Sequence, residues 1–423
     1  MAILHPKQYD LCRLIIRMRS TVLASSDRHG NQRPGGVMDI ELTTEQQLLT
    51  DSVKSFVAEE LLPLELEVER AGEVSLEQGE RIKRKALEMG FYAANLPEAI
   101  GGGGLDYTSL AIMEREFGKV SHALHGFAWR PTELLMACND DQKERYLYPC
   151  VRGEKVECFA ITEPGAGSDI MSMATRARRE GDDWIINGSK HFVSGHVEPD
   201  FAIVFAATGV DETDRGPRKR VSAFLVDKGH PGFDITRGPR CVSQRAYLNF
   251  VLSFNDCRVS QRQMLGAEGE GLTLADKWIK MGRVWVGAGC CGRAERLLDL
   301  SLEWAANRKQ FGQTIGKFQG TSFKLADMAT ELQAADLMVM HAAKKADAGQ
   351  MTPTDAAMCK LFASEMLHRL ADNAVQIHGG MGLMEDLPIE RLWRDARLER
   401  IWEGTSEIQR HIISRSLLRP LGA

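Results

Sequence analysis

Three regimes of hydrophobic patterning follow one another along the chain. From Thr43 to about Gly153 apolar residues recur at helical spacing; in TTEQQLLTDSVKSFVAEEL, Leu48, Val53 and Phe56 begin one stripe, which Pro63 interrupts. GGGGLDY, Gly101 to Tyr107, reads as a flexible turn before the helical run SLAIMEREFGKV. It lacks the Lys-Ser/Thr of a phosphate loop and no β-rich run precedes it, so it connects two helices. From about Cys158 to Arg258 the pattern shortens to that of strands. FAIVFAAT, VSAFLVDK and YLNFVLSF are β-rich, and Asn187-Gly188 inside DWIINGSKHFVSG predicts a hairpin. About six to eight strands are expected. After GAEGEG, Gly266 to Gly271, helical periodicity returns and holds to the end. Leu272–Asn307, Phe318–Ala348 and Thr354–Ile377 are each longer than an ordinary helix, as in a bundle that supports oligomers.

The order helical, β, helical predicts an α+β multi-domain protein. It has an N-terminal helical domain over 38–157, a middle β-barrel or sandwich domain over 158–265, and a C-terminal four-helix-bundle-like domain over 266–423. Residues 1–37 stand apart. They hold Arg13, Arg17, Arg19, Arg28 and Arg33 against only Asp10 and Asp27, and Ser25 to Gly36 has linker composition. They read as a flexible or mispredicted extension with Met38 as the natural initiator, or as an organelle transit peptide.

Composition narrows the function. A formal charge of −5 argues against a binder that relies on many phosphate contacts, while leaving room for a local basic patch. Nine cysteines without a CxxC pair suit reduced thiols. The expected compartment is a bacterial cytoplasm, or a mitochondrial matrix if residues 1–37 are a transit peptide. No apolar run reaches the roughly 18 residues of a membrane span, and no metal site is expected.

Four stretches carry candidate chemistry. In RIWEGTSEIQR, Glu403 stands between bulky Trp402 and small Gly404-Thr405, just ahead of a helix whose start is marked by Ser406 and Gln409 as a capping box. In CFAITEPGAGSDI a β-like run ends at Thr162 and a tight loop exposes backbone N–H groups and hydroxyls. It is not a dinucleotide fingerprint, since GAGSD lacks the third glycine and no βαβ unit surrounds it. In RKQFGQTIGKFQ, Arg308 is suited to bidentate phosphate binding. In QIHGGMGLMED, Gly379 and Gly380 end a long helix.

Taken together, TEPGAGSD, WIINGSKHFVS, RKQFG, QIHGGMG and WEGTSEIQR closely resemble the acyl-CoA dehydrogenase family, in the family's order, from about Thr43 to Arg419. The resemblance implies a homotetrameric flavoprotein with non-covalent FAD that converts an acyl-CoA to a trans-2-enoyl-CoA and passes electrons to electron-transferring flavoprotein. It makes Glu403 the base for the α proton, with its backbone N–H on the thioester carbonyl. It implies that Phe159, Ile161, Thr162 and Ser168 contact FAD, Ser168 also approaching the acyl-CoA. Phe192 and Ser194 lie by the flavin, and Thr405 lies near the diphosphate. Arg308, Phe311, Gln319, Gln376 and Gly380 reach the FAD of a neighbouring subunit. Arg283, Gly404 and Arg415 are expected at the substrate. Some relatives place the base at the position of Gly282, which here has no carboxylate.

The sequence departs from the family at Phe192, where many members have Trp, at Lys280, where an acid is frequent, and at Glu407, where Gln is frequent. Ser121 to Arg130 aligns with the region lining the acyl pocket, where Phe127 and Trp129 would shorten it and Arg130 would meet a polar acyl group. Rival readings are a same-fold oxidase or other flavin chemistry on a CoA thioester, and a noncatalytic acyl-CoA-binding protein.

Overall fold

The N-terminal pattern becomes a layer of short helices in the computed structural model, which describes residues 42–128, 131–214 and 216–422. The described residues belong to one compact unit. The expectations for residues 1–37, for Met38 and for Trp129 and Arg130 fall outside them. Helix α1 (Thr44–Phe56) starts at a capping box in which Thr43 and Gln46 exchange side chain and backbone bonds. It is followed by α2 (Glu65–Ala71), α3 (Leu76–Glu88), α4 (Tyr107–Phe117) and the single turn α5 (His122–His125). Phe56, Phe91 and Phe117 meet edge to face at 5.4–6.2 Å and anchor this layer.

The glycine run before α4 is not slack. The Gly103 and Gly104 N–H groups donate to Ala93 and Leu96 carbonyls at 3.1 and 2.9 Å. A Cβ at Gly102 would stand 2.1 Å from the Leu96 carbonyl oxygen. Close backbone approach, rather than flexibility, is what these glycines provide.

The middle region is one eight-stranded sheet. Its strands are β1 (Glu157–Ala160), β2 (Arg176–Glu180), β3 (Asp183–Gly195), β4 (Phe201–Asp211), β5 (Arg218–Asp227), β6 (Phe233–Arg237), β7 (Leu248–Ser260) and β8 (Met264–Leu265). The order is β6-β7-β3-β2-β4-β5-β8, with β1 parallel to β4. Alternate residues of the strands, among them Trp184, Ile186, Phe224, Phe250 and Leu252, fill its core. The predicted hairpin at Asn187-Gly188 is absent, because β3 runs through it. The chain reverses instead at Gly181-Asp182, between β2 and β3. Gly188 marks a bulge against β7, with φ at +145°, where a Cβ would lie 2.5 Å from Thr175 Oγ1.

The C-terminal helices are α6 (Gly271–Asn307), α7 (Gln319–Asp347), α8 (Pro353–His378), α9 (Pro388–Leu398) and α10 (Ser406–Leu418). The three long ones start and end close to where periodicity placed them. Helix α4 packs with them. It approaches α6 so closely that a Cβ at Gly292 would lie 1.8 Å from the Arg115 carbonyl oxygen. Buried Arg115 of α4 bonds Asp336 of α7 at 2.8 Å and Glu295 of α6 at 3.1 Å. Burial alone would raise the Glu295 carboxyl, but Arg115 and Lys119 hold it down at about 2. The eight described cysteines are free thiols, all but Cys241 buried.

Candidate active site

The segment between α9 and α10 carries the first constellation. The cap of α10 is Thr405, not Ser406: Thr405 Oγ1 accepts from the Ile408 N–H at 3.3 Å, and Ser406 is the first helical residue. Gln409 does not complete the expected box. Its Nε2 donates to the Glu403 and Gly404 carbonyls at 3.1 and 2.8 Å. Lys360 Nζ, on a side chain wholly buried in α8, donates to the same Gly404 carbonyl at 2.9 Å, and the Ser406 N–H closes the loop on the Arg400 carbonyl at 3.0 Å. These bonds fix Glu403 at φ 52° and Gly404 at φ 89°. A non-glycine residue keeps such a conformation where its surroundings determine it, commonly at active sites.

The neighbours of Glu403 are as firmly placed. Trp402 Nε1 donates to Glu399 Oε2 at 2.7 Å, and Glu399 is paired with Arg293, both buried. His122 of α5 packs edge-on against Trp402 at 5.2 Å and Tyr247 at 4.7 Å. Burial and then the Glu403 charge push the Tyr247 phenol up. On α6, a Cβ at Gly282 would stand 3.1 Å from Glu403 Oε2, so that position and Glu403 converge on one point. Arg283 follows it. A Cβ at Gly404 would lie 3.9 Å from its Nη2, and its buried Nε has no hydrogen-bond partner among the described residues. Burial lowers the Arg283 guanidinium while Glu403 raises it.

The second constellation is the loop after β1. Buried Lys190 of β3 donates to the Ile161 carbonyl at 3.1 Å and to Glu163 Oε1 at 2.7 Å. Glu163 in turn accepts from the Ala174 and Thr175 N–H groups, at 2.6 and 3.1 Å. The His191 N–H donates to the Thr162 carbonyl at 2.8 Å. Glu163 and Lys190 were missed as site-builders; a lone lysine within a β-rich run was the available signal. Ile161 is buried, Phe159 is half-buried against Phe205, and Ser168 is exposed. Phe192, at φ 52°, is exposed and stacks on His191, while Ser194 Oγ donates to Asn249 Oδ1 at 2.8 Å.

The third lies at the far end of α6. Arg308, just past the helix and exposed, lies 6.0 Å over the Trp304 ring. Strands β9 (Lys309–Gln310) and β10 (Gln313–Thr314) form a hairpin with Phe311 at its tip. Phe311 and Gln376 line a cavity of 380 Å³, and Arg308, Gly379 and Gly380 line another of 550 Å³. Gln319 is exposed at the start of α7. Arg415 is exposed on α10, about three turns beyond Thr405. Of the departures, Lys280 pairs with Asp276 at 3.4 Å, and Glu407 is exposed.

The residues fit a flavin dinucleotide. An exposed guanidinium, a bare phenyl ring and open glycine backbone at Gly379 and Gly380, where a Cβ would touch nothing, suit a diphosphate and an adenine. The exposed loop braced by Glu163 suits the polar edge of the ring system.

Residues 43–154, 158–257 and 269–418 match, in turn, the models for acyl-CoA dehydrogenase N-terminal, middle and C-terminal domains. The mitochondrial short-chain specific acyl-CoA dehydrogenase of Mus musculus is 35% identical over 393 residues, 90% of this chain and 92% of that one. The caffeyl-CoA reductase-Etf complex subunit CarC of Acetobacterium woodii is 35% identical over 383 residues, 89% of this chain and 99% of that one. A solved acyl-CoA dehydrogenase from Bacillus anthracis, complexed with FAD, is 30% identical, with a TM-score of 0.80 over 90% of this chain and 68% of that one. No helix among the described residues is long and apolar enough to cross a membrane.

Proposed function

Because the chain belongs to the acyl-CoA dehydrogenase family of FAD-dependent oxidoreductases, we propose that Glu403 removes the α proton of an acyl-CoA thioester that becomes a trans-2-enoyl-CoA. One observation carries this reading: a carboxylate held at positive φ by Gln409 and Lys360, beside Arg283 and facing Gly282. The α C–H of a thioester is a poor acid, so a carboxylate must be in place before the proton moves. The Glu403 backbone N–H meets the thioester carbonyl and stabilises the developing enolate. Arg283 and Gly404 border the thioester end, and Arg415 and Ser168 assist at the CoA. Trp402, fixed by Glu399, keeps water from the carboxylate.

FAD supplies the acceptor for the β hydride. Phe159, Ile161, Thr162, Ser168, Phe192, Ser194 and Thr405 hold it in the same chain. Arg308, Phe311, Gln319, Gln376 and Gly380 hold the diphosphate and adenine of a neighbouring chain's FAD in a homotetramer. All five are exposed, as contact with a neighbouring chain's cofactor requires. Electrons pass on to electron-transferring flavoprotein, a partner supported by the Etf-complex relative. The same residues serve enoyl-CoA reduction, since a base that takes a proton in one direction returns it in the other.

The test is anaerobic titration of the yellow protein with a panel of acyl-CoAs. Bleaching by at least one member is expected. A flavin that none of them bleaches, or a colourless protein that cannot be reconstituted with FAD, would overturn the reading. Assays with electron-transferring flavoprotein and with oxygen then separate a dehydrogenase from an oxidase.

A further inference from the structure

The packing around Trp402, next to Glu403, includes buried polar side chains. Turn α5 presents His122 to Trp402 and Tyr247, and His125 lies edge-on to His122 at 5.3 Å while stacking on Phe117 at 4.6 Å. Burial keeps both imidazoles neutral, lowering His122 well below the usual range and His125 to about 3. The turn is pinned at both of its first N–H groups. Ser121 donates to Glu65 Oε1 at 2.9 Å, and His122 donates to Gln244 Oε1 at 3.1 Å.

Gln244 is the informative residue. It is 3% exposed and sits at φ 50°, held there by its own N–H on Asp395 Oδ1 at 2.6 Å. Its amide oxygen is used by His122, but its buried Nε2 has no hydrogen-bond partner among the described residues. A buried donor left unmet destabilises the fold. A strained backbone and an unmet donor at the residue that holds His122, which packs on Trp402 next to Glu403, point to a ligand atom.

The charge balance limits what that atom can be. Arg293, a nearby buried cation, is already paired with Glu399 and faces Asp395. Arg293 is therefore not free to pair with a carboxylate on the substrate, which would also carry the same charge as Glu403.

We propose that the distal end of the acyl group lies against His122, Tyr247 and Trp402 and carries an uncharged oxygen acceptor, a hydroxyl, carbonyl or phenol, that takes the Gln244 amide hydrogen. The proposal rests on the acyl-CoA dehydrogenase reading and narrows its substrate class. An oxygenated acyl-CoA satisfies the amide; a hydrocarbon of the same shape leaves it unmet. A site built around a polar donor rejects the analogue that lacks the acceptor.

The experiment compares matched acyl-CoAs by anaerobic flavin reduction and by steady-state kcat/KM. One pair is hexanoyl-CoA and 5-oxohexanoyl-CoA; the other is 3-phenylpropanoyl-CoA and 3-(4-hydroxyphenyl)propanoyl-CoA. The oxygenated member of at least one pair is expected to win by about tenfold or more in kcat/KM. The ω-carboxylated analogue, 5-carboxypentanoyl-CoA, is expected to lag behind both members of its length. In Gln244→Leu the preference should collapse to within about threefold. In His122→Phe, which removes a polar ring but not the amide, part of it should persist. Both variants are first checked for bound flavin, and the substrate ratio within each variant cancels a general loss of activity. Equal rates, or a hydrocarbon preference, in both wild-type pairs would overturn the proposal while leaving the dehydrogenase reading intact. So would a preference that survives Gln244→Leu unchanged. Failure of every acyl-CoA to bleach the flavin removes both.

Discussion

Glu403 and Phe311 occupy nearly the same strained backbone region, with φ at 52° and 51°, in opposite surroundings. Around Glu403 the same chain supplies everything that fixes the conformation: two donors from Gln409, one from Lys360, and the Arg293–Glu399–Trp402 chain beside it. At Phe311 the strain is local. Phe311 and Gly312 are the two central residues of a tight hairpin, both at positive φ, as its register with Gln310 and Gln313 demands. That turn leaves the phenyl ring 94% exposed, with Phe318 edge-on to it at 6.2 Å. One region is finished by its own chain. The other presents a large apolar group to something outside it, which fits the proposal that acid–base chemistry is built within a subunit and the far end of the cofactor is gripped between subunits.

The sharpest way to break this contrast is at the base. Glu403→Gln preserves shape and most hydrogen bonding but cannot take a proton. Flavin reduction by substrate should fall by at least about 10²-fold, while FAD and acyl-CoA still bind. Wild-type reduction in this variant would remove Glu403 from the chemistry. Glu403→Gly combined with Gly282→Glu asks the converse question, since a side chain at 282 starts within 3.1 Å of the Glu403 carboxylate. Partial recovery over Glu403→Gly alone is the expected result, read as the rate of flavin bleaching.

At the other region the expected effects are smaller and of another kind. Arg308→Ala should raise the FAD dissociation constant about tenfold through loss of a charge-assisted contact. Phe311→Ala should also weaken FAD retention, yet leave the melting temperature of the FAD-free protein nearly unchanged, because the ring packs on so little of its own chain. If either variant keeps FAD as wild type does, that residue leaves the cofactor site. If Phe311→Ala instead lowers the melting temperature of the free chain, the contrast with Glu403 fails, since the ring would then serve its own fold.

These two regions also show what could be read from the sequence. The long helices were legible because helical periodicity is sustained over many turns, as in α6, which covers 37 residues. The sheet was legible from short β-rich runs separated by turn residues. Asn187-Gly188 misled because a local turn signal says nothing of Thr175, which fills the space beside Gly188 and lets β3 continue. The roles proposed for Glu403 and Arg308 come from resemblance. Their supports were not legible. Lys360 reaches Gly404 across 44 positions and Arg293 reaches Glu399 across 106, and Gln409 looked like part of a helix cap rather than a clamp. Such partners are specified by packing in three dimensions, and a buried lysine or arginine looks in sequence like any solvated one.

The subtlest test of the contrast concerns that clamp. Gln409 is wholly buried, and its amide bridges the carbonyls of Glu403 and Gly404, which flank Gly404. Gln409→Leu keeps the volume and removes both bonds. Gly404 retains Lys360, so the loop should not unfold, but the Glu403 carbonyl loses the donor that Gln409 gives it. The peptide can then relax from the conformation that orients both the carboxylate and the Glu403 N–H. Since each lost bond is worth about 1 kcal/mol, the rate of flavin reduction should drop by only about three- to tenfold. FAD content should be unchanged, and the substrate dissociation constant should move less than the rate, because the loss falls on the reacting geometry rather than on binding. Gln409→Glu restores an oxygen but not the donor, and should not recover the rate. If Gln409→Leu reduces its flavin as fast as wild type, the positive φ at Glu403 is held by the loop itself, as at Phe311, and the two regions are alike after all.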